Sequence, residues 1–258
     1  PAGRARLMIA SLPMYDRPEL RMETDALWAE IRDALRRRGE PAPERLTRDT
    51  PVLWSHWQDP DLVFSQTCGM PYRTRLHGHV TLLGTPDFGL PACPPGYYRS
   101  ILVMRRLFAT NMPSEWGKLR LAVNDFSSQS GWAAPQNYMA GHGFSFNKTV
   151  ETGAHQASVA AVIAGEADIA SIDAQTWRLM CRFDDPLSAL VKVGETPPTP
   201  GLPYITRIGA PANLYRAAVD EAIARLAPRT RRSLGLLGFT QIPASAYCAV
   251  PTPDLLEN

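Results

Sequence analysis

Five groups of polar residues in this 258-residue sequence follow short apolar runs, where a strand would end and its side chains could meet a solute. They are Tyr15 with Asp16; Ser65-Gln66-Thr67-Cys68-Gly69; Asn124 with Ser127-Ser128-Gln129-Ser130-Gly131; Thr152-Gly153-Ala154-His155; and Asp173. In open α/β sheets, ligands bind at such carboxyl ends, where loops and helix starts converge. Clustered hydroxyls with a glycine at a helix start offer O–H and N–H donors to one anion, aided by the helix dipole. The same composition also suits a solvent-exposed serine loop with an ordinary cap. His155 is a further donor or a capping residue, and Asp173 an acceptor for an acidic O–H or an amine, or the cap of the next turn. Tyr15 and Tyr204 supply phenol donors or packing faces.

Catalytic readings are weaker. A Ser130–His155–Asp173 triad can be written down, but no G-x-S-x-G elbow surrounds Ser130. His77-Gly78-His79 has no carboxylate or cysteine at ligand spacing, so no metal site is expected. Neither G-x-G-x-x-G nor a Walker loop occurs, which argues against nucleotide cofactors. The expectation is no catalytic residue, no metal and no cofactor.

The elements that must position these groups alternate between strand and helix. Leu7–Leu12, Asp61–Ser65, Val80–Leu83, Tyr97–Arg105, Arg120–Asn124, Ala167–Ile172 and Leu190–Val193 read as strands. Between Thr24 and Arg38, Leu27, Trp28, Ile31, Ala34 and Leu35 fall on one helical face, and Gly39 supplies the stop. Gln156–Ala164 reads as a helix closed by Gly165, and Leu214–Leu226 as a final helix capped by Asn213 with Pro228 beyond it. Thr196–Pro203, with four prolines, reads as an irregular hinge or crossover. The pattern is α/β with largely parallel strands, and Arg120–Asp173 has the makings of a second small lobe.

Bulk properties set the outer limits. Hydrophobic residues at 45% and charged ones at 20% describe a folded globular chain. The net charge of +2 is mixed in sign, and the basic run Arg36-Arg37-Arg38 sits at a helix end, where cations complement the dipole, so no nucleic-acid partner is expected. No apolar run reaches the ~18 residues that span a bilayer. Beginning at Pro1 without a methionine, the sequence is expected to be a processed or trimmed product, and localisation is left to the resemblance. Cys68, Cys93, Cys181 and Cys248 form no zinc motif; if any pair is bridged, Cys68 with Cys93 is the choice, since each follows a strand.

On Ala10-Ser11-Leu12-Pro13-Met14-Tyr15, Pro60 to Gly69, Asn124 to Gly131, Thr152 to Ser158, Gly165 to Asp173 and Thr199-Pro200-Gly201-Leu202-Pro203, in that order, the sequence resembles the PhnD-like, phosphonate-binding branch of the type 2 periplasmic binding proteins. The resemblance implies two α/β lobes closing on a ligand cleft: residues 1–103 opening lobe 1, 104–192 an inserted lobe 2, and 193–258 returning to lobe 1. It implies a solute-binding protein of an ABC uptake system, a non-enzymatic monomer that docks a membrane permease in the periplasm or on a lipid anchor. The implied ligand is a small phosphonate- or phosphate-class anion, held by Ser127, Ser128, Ser130, His155 and Asp173, with Tyr15, Gln66 and Thr67 facing them. Gln129 departs from a more compact hydroxyl pattern, and Thr199–Pro203 lacks an acidic residue for a ligand amine. A cytoplasmic sensor or enzyme on the same fold, or a binder of a carboxylate or pyrimidine, is the alternative.

Overall fold

A computed structural model describes residues 8–48 and 53–254, so Leu7 of the expected first strand lies outside the described residues. Among the described residues twelve strands follow in chain order: β1 (Ile9–Ser11), β2 (Leu62–Gln66), β3 (Val80–Asp87), β4 (Tyr97–Tyr98), β5 (Ser100–Arg105), β6 (Arg120–Val123), β7 (Lys148–Glu151), β8 (Ile169–Asp173), β9 (Leu190–Glu195), β10 (Thr199–Pro200), β11 (Tyr204–Arg207) and β12 (Gly238–Thr240). The chain divides into two compact units. One runs to Pro91 and resumes over Pro200–Tyr247; the other spans Ala92–Thr199 and takes the chain back from Cys248. The passages thus lie outside residues 104–192, because β5 and β9 pair along their lengths in one sheet with β8 and cannot be divided. The return at Cys248 is not signalled in the sequence; there Asn137 Nδ2 donates to Pro251 O at 2.9 Å.

The first unit holds the sheet β1-β2-β11-β3-β12, with β1 and β2 parallel and β11 antiparallel to both β2 and β3. The second holds β7-β6-β8-β5-β9, with β6 parallel to β7 and β8, and β5 antiparallel to β8 and β9. Both sheets are therefore mixed rather than largely parallel. The reversed strands β5 and β11 follow the passages between units, so the chain enters each sheet from the opposite end. Residues 196–203 are not wholly irregular, since Thr199–Pro200 pairs with Tyr97–Tyr98 in a two-stranded ribbon. A proline fits such an edge because its missing N–H is not needed there.

Apolar periodicity explains the packing of the first unit. The helix Arg21–Arg37 buries Leu27, Trp28, Ile31, Ala34 and Leu35 against Val63 and Phe64 of β2 and Val219 and Ile223 of the helix Ala212–Arg225. Each such aliphatic side chain contributes about 1.5–3 kcal/mol. Gly39 ends the first helix at φ +82°. Arg37 and Arg38 then grip Glu221 at 2.6 and 2.7 Å, tying the two helices together. Asn213 is not the cap of Ala212–Arg225; Pro211 precedes the helix, and Asn213 Oδ1 accepts from Arg216. Pro228 does not merely follow a helix but opens Pro228–Leu234, where its fixed φ suits a first turn.

In the second unit, Leu102 and Val103 of β5, Leu121 to Val123 of β6 and Ile169 to Ile172 of β8 are buried, with Trp132 and Val162 covering them from the helices. All four cysteines are free thiols. The expected Cys68–Cys93 bridge is not formed, and the two residues belong to different units. No described helix is long and apolar enough to cross a membrane.

Candidate functional site

Because β7, β6 and β8 run parallel, their carboxyl ends lie at one edge of the second unit's sheet. A helix start follows each: Gln129–Ala133 leading into Ala134–Gly141 after β6, His155–Ala164 after β7, and Ala174–Phe183 after β8. Helix starts present N–H groups and positive dipole ends, so this edge suits an anion.

The serine loop is fixed by bonds on both sides. Ser128 caps the helix start, its Oγ accepting from Gly131 N at 3.0 Å. Ser130 Oγ lies 2.8 Å from His155 Nε2 and 3.4 Å from Ser128 Oγ. The Ser130 carbonyl accepts from Ser100 Oγ at 3.0 Å and from Ser171 Oγ at 2.7 Å. Those two strand serines were not singled out in the sequence; the signal for them is a small hydroxyl inside otherwise apolar strands. Gly131 is required by contact, since a Cβ there would stand 1.8 Å from Asn124 Oδ1. Ser127 differs from its neighbours: its hydroxyl donates to Asp125 Oδ1 at 2.7 Å, and its backbone N–H donates to the same oxygen at 2.6 Å.

His155 begins its helix beside Gly153, whose φ of +85° makes the turn. The residue is half-buried, but Nδ1 is enclosed and has no hydrogen-bond partner. Burial pushes the imidazole pKa down to about 4, so the ring is neutral at pH 7. Asp173, 2% exposed, caps Ala174–Phe183: its Oδ1 accepts from Gln175 N at 2.7 Å and Thr176 N at 2.9 Å. The Ser–His link of a triad is thus present without a bond from Nδ1 to a carboxylate.

The remaining expected residues belong to the first unit. Tyr15 packs edge-on against Phe88 with ring centroids 5.1 Å apart. Gln66, 3% exposed, donates from Nε2 to Leu202 O, and the Thr67 backbone N–H donates to Pro203 O. Tyr204, also unexposed, stacks on Phe239 and meets Phe64 at a tilt of 51°. At the end of β1 a cavity of about 270 Å³ is lined by Ser11, Pro13, Asp16, Arg21, Arg48 and His56. Arg48 is held by Asp16 and Asp25 at 2.6 and 2.8 Å, and burial lowers the His56 pKa. Nothing in the local sequence pattern marks Arg21, Arg48 or His56 as cavity residues, because two helices and the loop between them bring them together.

Residues 61–247, well over half of the chain, match the family described as ABC transporter, phosphonate, periplasmic substrate-binding protein. No curated protein matches the sequence. Among solved structures, XAC2383 from Xanthomonas citri bound to chloride ion is similar at 15% identity, with TM-score 0.69, covering 93% of this chain and 92% of that one. PhnD1 from Prochlorococcus marinus in complex with methylphosphonate is 14% identical, with TM-score 0.66, covering 93% and 94%. A binding protein component of an ABC phosphonate transporter from Pseudomonas aeruginosa is 17% identical, with TM-score 0.58, covering 84% and 78%. At such identities these likenesses speak for the fold, and the family match speaks for the chain's lineage. The chain belongs to the family of periplasmic substrate-binding proteins of phosphonate ABC transporters.

Proposed function

We propose that this solute-binding protein captures a small phosphonate- or phosphate-class oxyanion at the helix starts of its second unit and delivers it to a membrane permease. The observation that supports this most is the Ser128–Ser130 turn, where two buried hydroxyls are immobilised at a helix start by backbone and side-chain bonds. Stripping water from an anion costs several kcal/mol unless donors replace it, and prepositioned hydroxyls and amides do so without an ordering cost at binding. Ser128 and Ser130 are the proposed primary donors. Ser127, engaged with Asp125, contributes its loop geometry, and Asp173 contributes through the helix start it caps. Tyr15, Gln66 and Thr67 belong to the first unit, where Gln66 and Thr67 are tied to Leu202 and Pro203 at the end of β2. The protein works in the periplasm, as a monomer and without catalysis.

A thermal-shift panel tests the reading. A ligand at a hundred times its Kd stabilises the native state by about 2.7 kcal/mol. At about 2–4 °C per kcal/mol for a chain this size, methylphosphonate or phosphate should raise Tm by about 5–10 °C. Silence toward every oxyanion, with a shift produced by an amino acid or a pyrimidine, would sink the proposal.

A further inference from the structure

Ser128 and Ser130 share a bonding logic that assigns His155 a different task from the direct anion donor expected of it. A hydroxyl offers one hydrogen and two lone pairs. Ser128 accepts an N–H from Gly131, so its acceptor side faces the protein; the hydroxyl's other contact is a long 3.4 Å approach to Ser130 Oγ, in which either hydroxyl could donate and from which a charged solute oxygen would draw the Ser128 hydrogen. Ser130 sits in the same position only if the hydrogen in its 2.8 Å contact belongs to His155 Nε2. Were the Ser130 hydroxyl to donate to the ring instead, an anion would meet a lone pair there. Its backbone cannot swing to escape this choice, because Ser100 and Ser171 both hold its carbonyl.

We propose that His155 is a positioning residue: Nε2–H donates to Ser130 Oγ and turns the Ser130 hydroxyl hydrogen to the anion, while the imidazole does not touch the anion itself. This rests on the oxyanion reading given above. The other nitrogen supports it, for Nδ1 is enclosed without a partner. A hydrogen there would be a buried N–H with no acceptor, a rarer and costlier orphan than an unfilled lone pair. At pH 7 the ring is neutral, so one nitrogen alone carries a hydrogen.

Two measurements decide the matter. Nitrogen-15 imidazole spectra of the ligand-free wild-type protein at pH 7 should show the Nε2–H tautomer; the Nδ1–H tautomer overturns the assignment. For binding, His155→Gln places an amide nitrogen near the position of Nε2, whereas His155→Asn reaches only the position of Nδ1. Against methylphosphonate or phosphate, whichever the wild type binds, His155→Gln should keep affinity within about threefold. His155→Asn and Ser130→Ala should each lose about ten- to hundredfold, the effect of one hydrogen bond to a charged group. Affinity in His155→Asn equal to or above that in His155→Gln overturns the proposal. Absence of any oxyanion binding by the wild type instead refutes the function proposed above, and the tautomer spectrum still reports where the hydrogen lies.

Discussion

Substituting Gly131 by alanine tests whether the serine loop is built against Asn124. The new Cβ would stand 1.8 Å from Asn124 Oδ1 and 2.9 Å from its Cγ, with His155 Cε1 at 3.4 Å. Ordinary contact would require Asn124 to retreat by well over an ångström, within a sheet edge already filled by the loop. Overpacking of this kind costs about 1–3 kcal/mol. For a chain of this size that is a fall in Tm of about 2–12 °C. Asn124→Ala removes the obstructing oxygen, which is enclosed without a hydrogen-bond partner, so alone it should cost less than about 1 kcal/mol. In that background Gly131→Ala should be milder by about 1–2 kcal/mol, a coupling typical of residues in contact. Thermal melts of wild type, both single variants and the double variant give the coupling. If the alanine costs as much without Asn124 as with it, or costs nothing in either background, the claim that contact dictates this glycine is refuted.

Two further outcomes follow from the same site. Asp173→Ala should lower stability by about 0.5–2 kcal/mol through loss of its helix cap, and Asp173→Asn should recover most of that because an amide oxygen still accepts from Gln175 and Thr176; equal losses in urea melts would contradict a capping role. His155 makes stability depend on pH: between about 6.5 and about 4 the unfolded chain binds a proton that the buried ring refuses, so stability falls as pH drops through that window. Melting curves from pH 7 to 4 should be flatter over that range for His155→Gln than for the wild type.

The sequence was most legible where structure is local. Apolar runs bounded by glycine and proline located β1, β2, β3, β6 and β8, and the 3.6-residue spacing from Leu27 to Leu35 located the first long helix. Strand ends follow from strands, so Ser128, Ser130, His155 and Asp173 could be named before any coordinates. The short helix at Pro228 and the ribbon at Thr199–Pro200 were hidden because proline reads as a breaker, although it also opens helices and tolerates edges.

What each polar group does was not legible, because its partner lies far along the chain. Nothing near Ser127 separates it from Ser130, yet one hydroxyl answers Asp125 and the other meets a ring 25 residues away. The clasp of Ser100 and Ser171 on one carbonyl depends on β5 and β8 pairing in antiparallel register. Local propensity and periodicity thus fixed which residues stand at the strand ends. Only the packed sheet decided which hydroxyls face inward and which partners they meet, since buried polar groups are mostly matched across sequence distances that no short window contains.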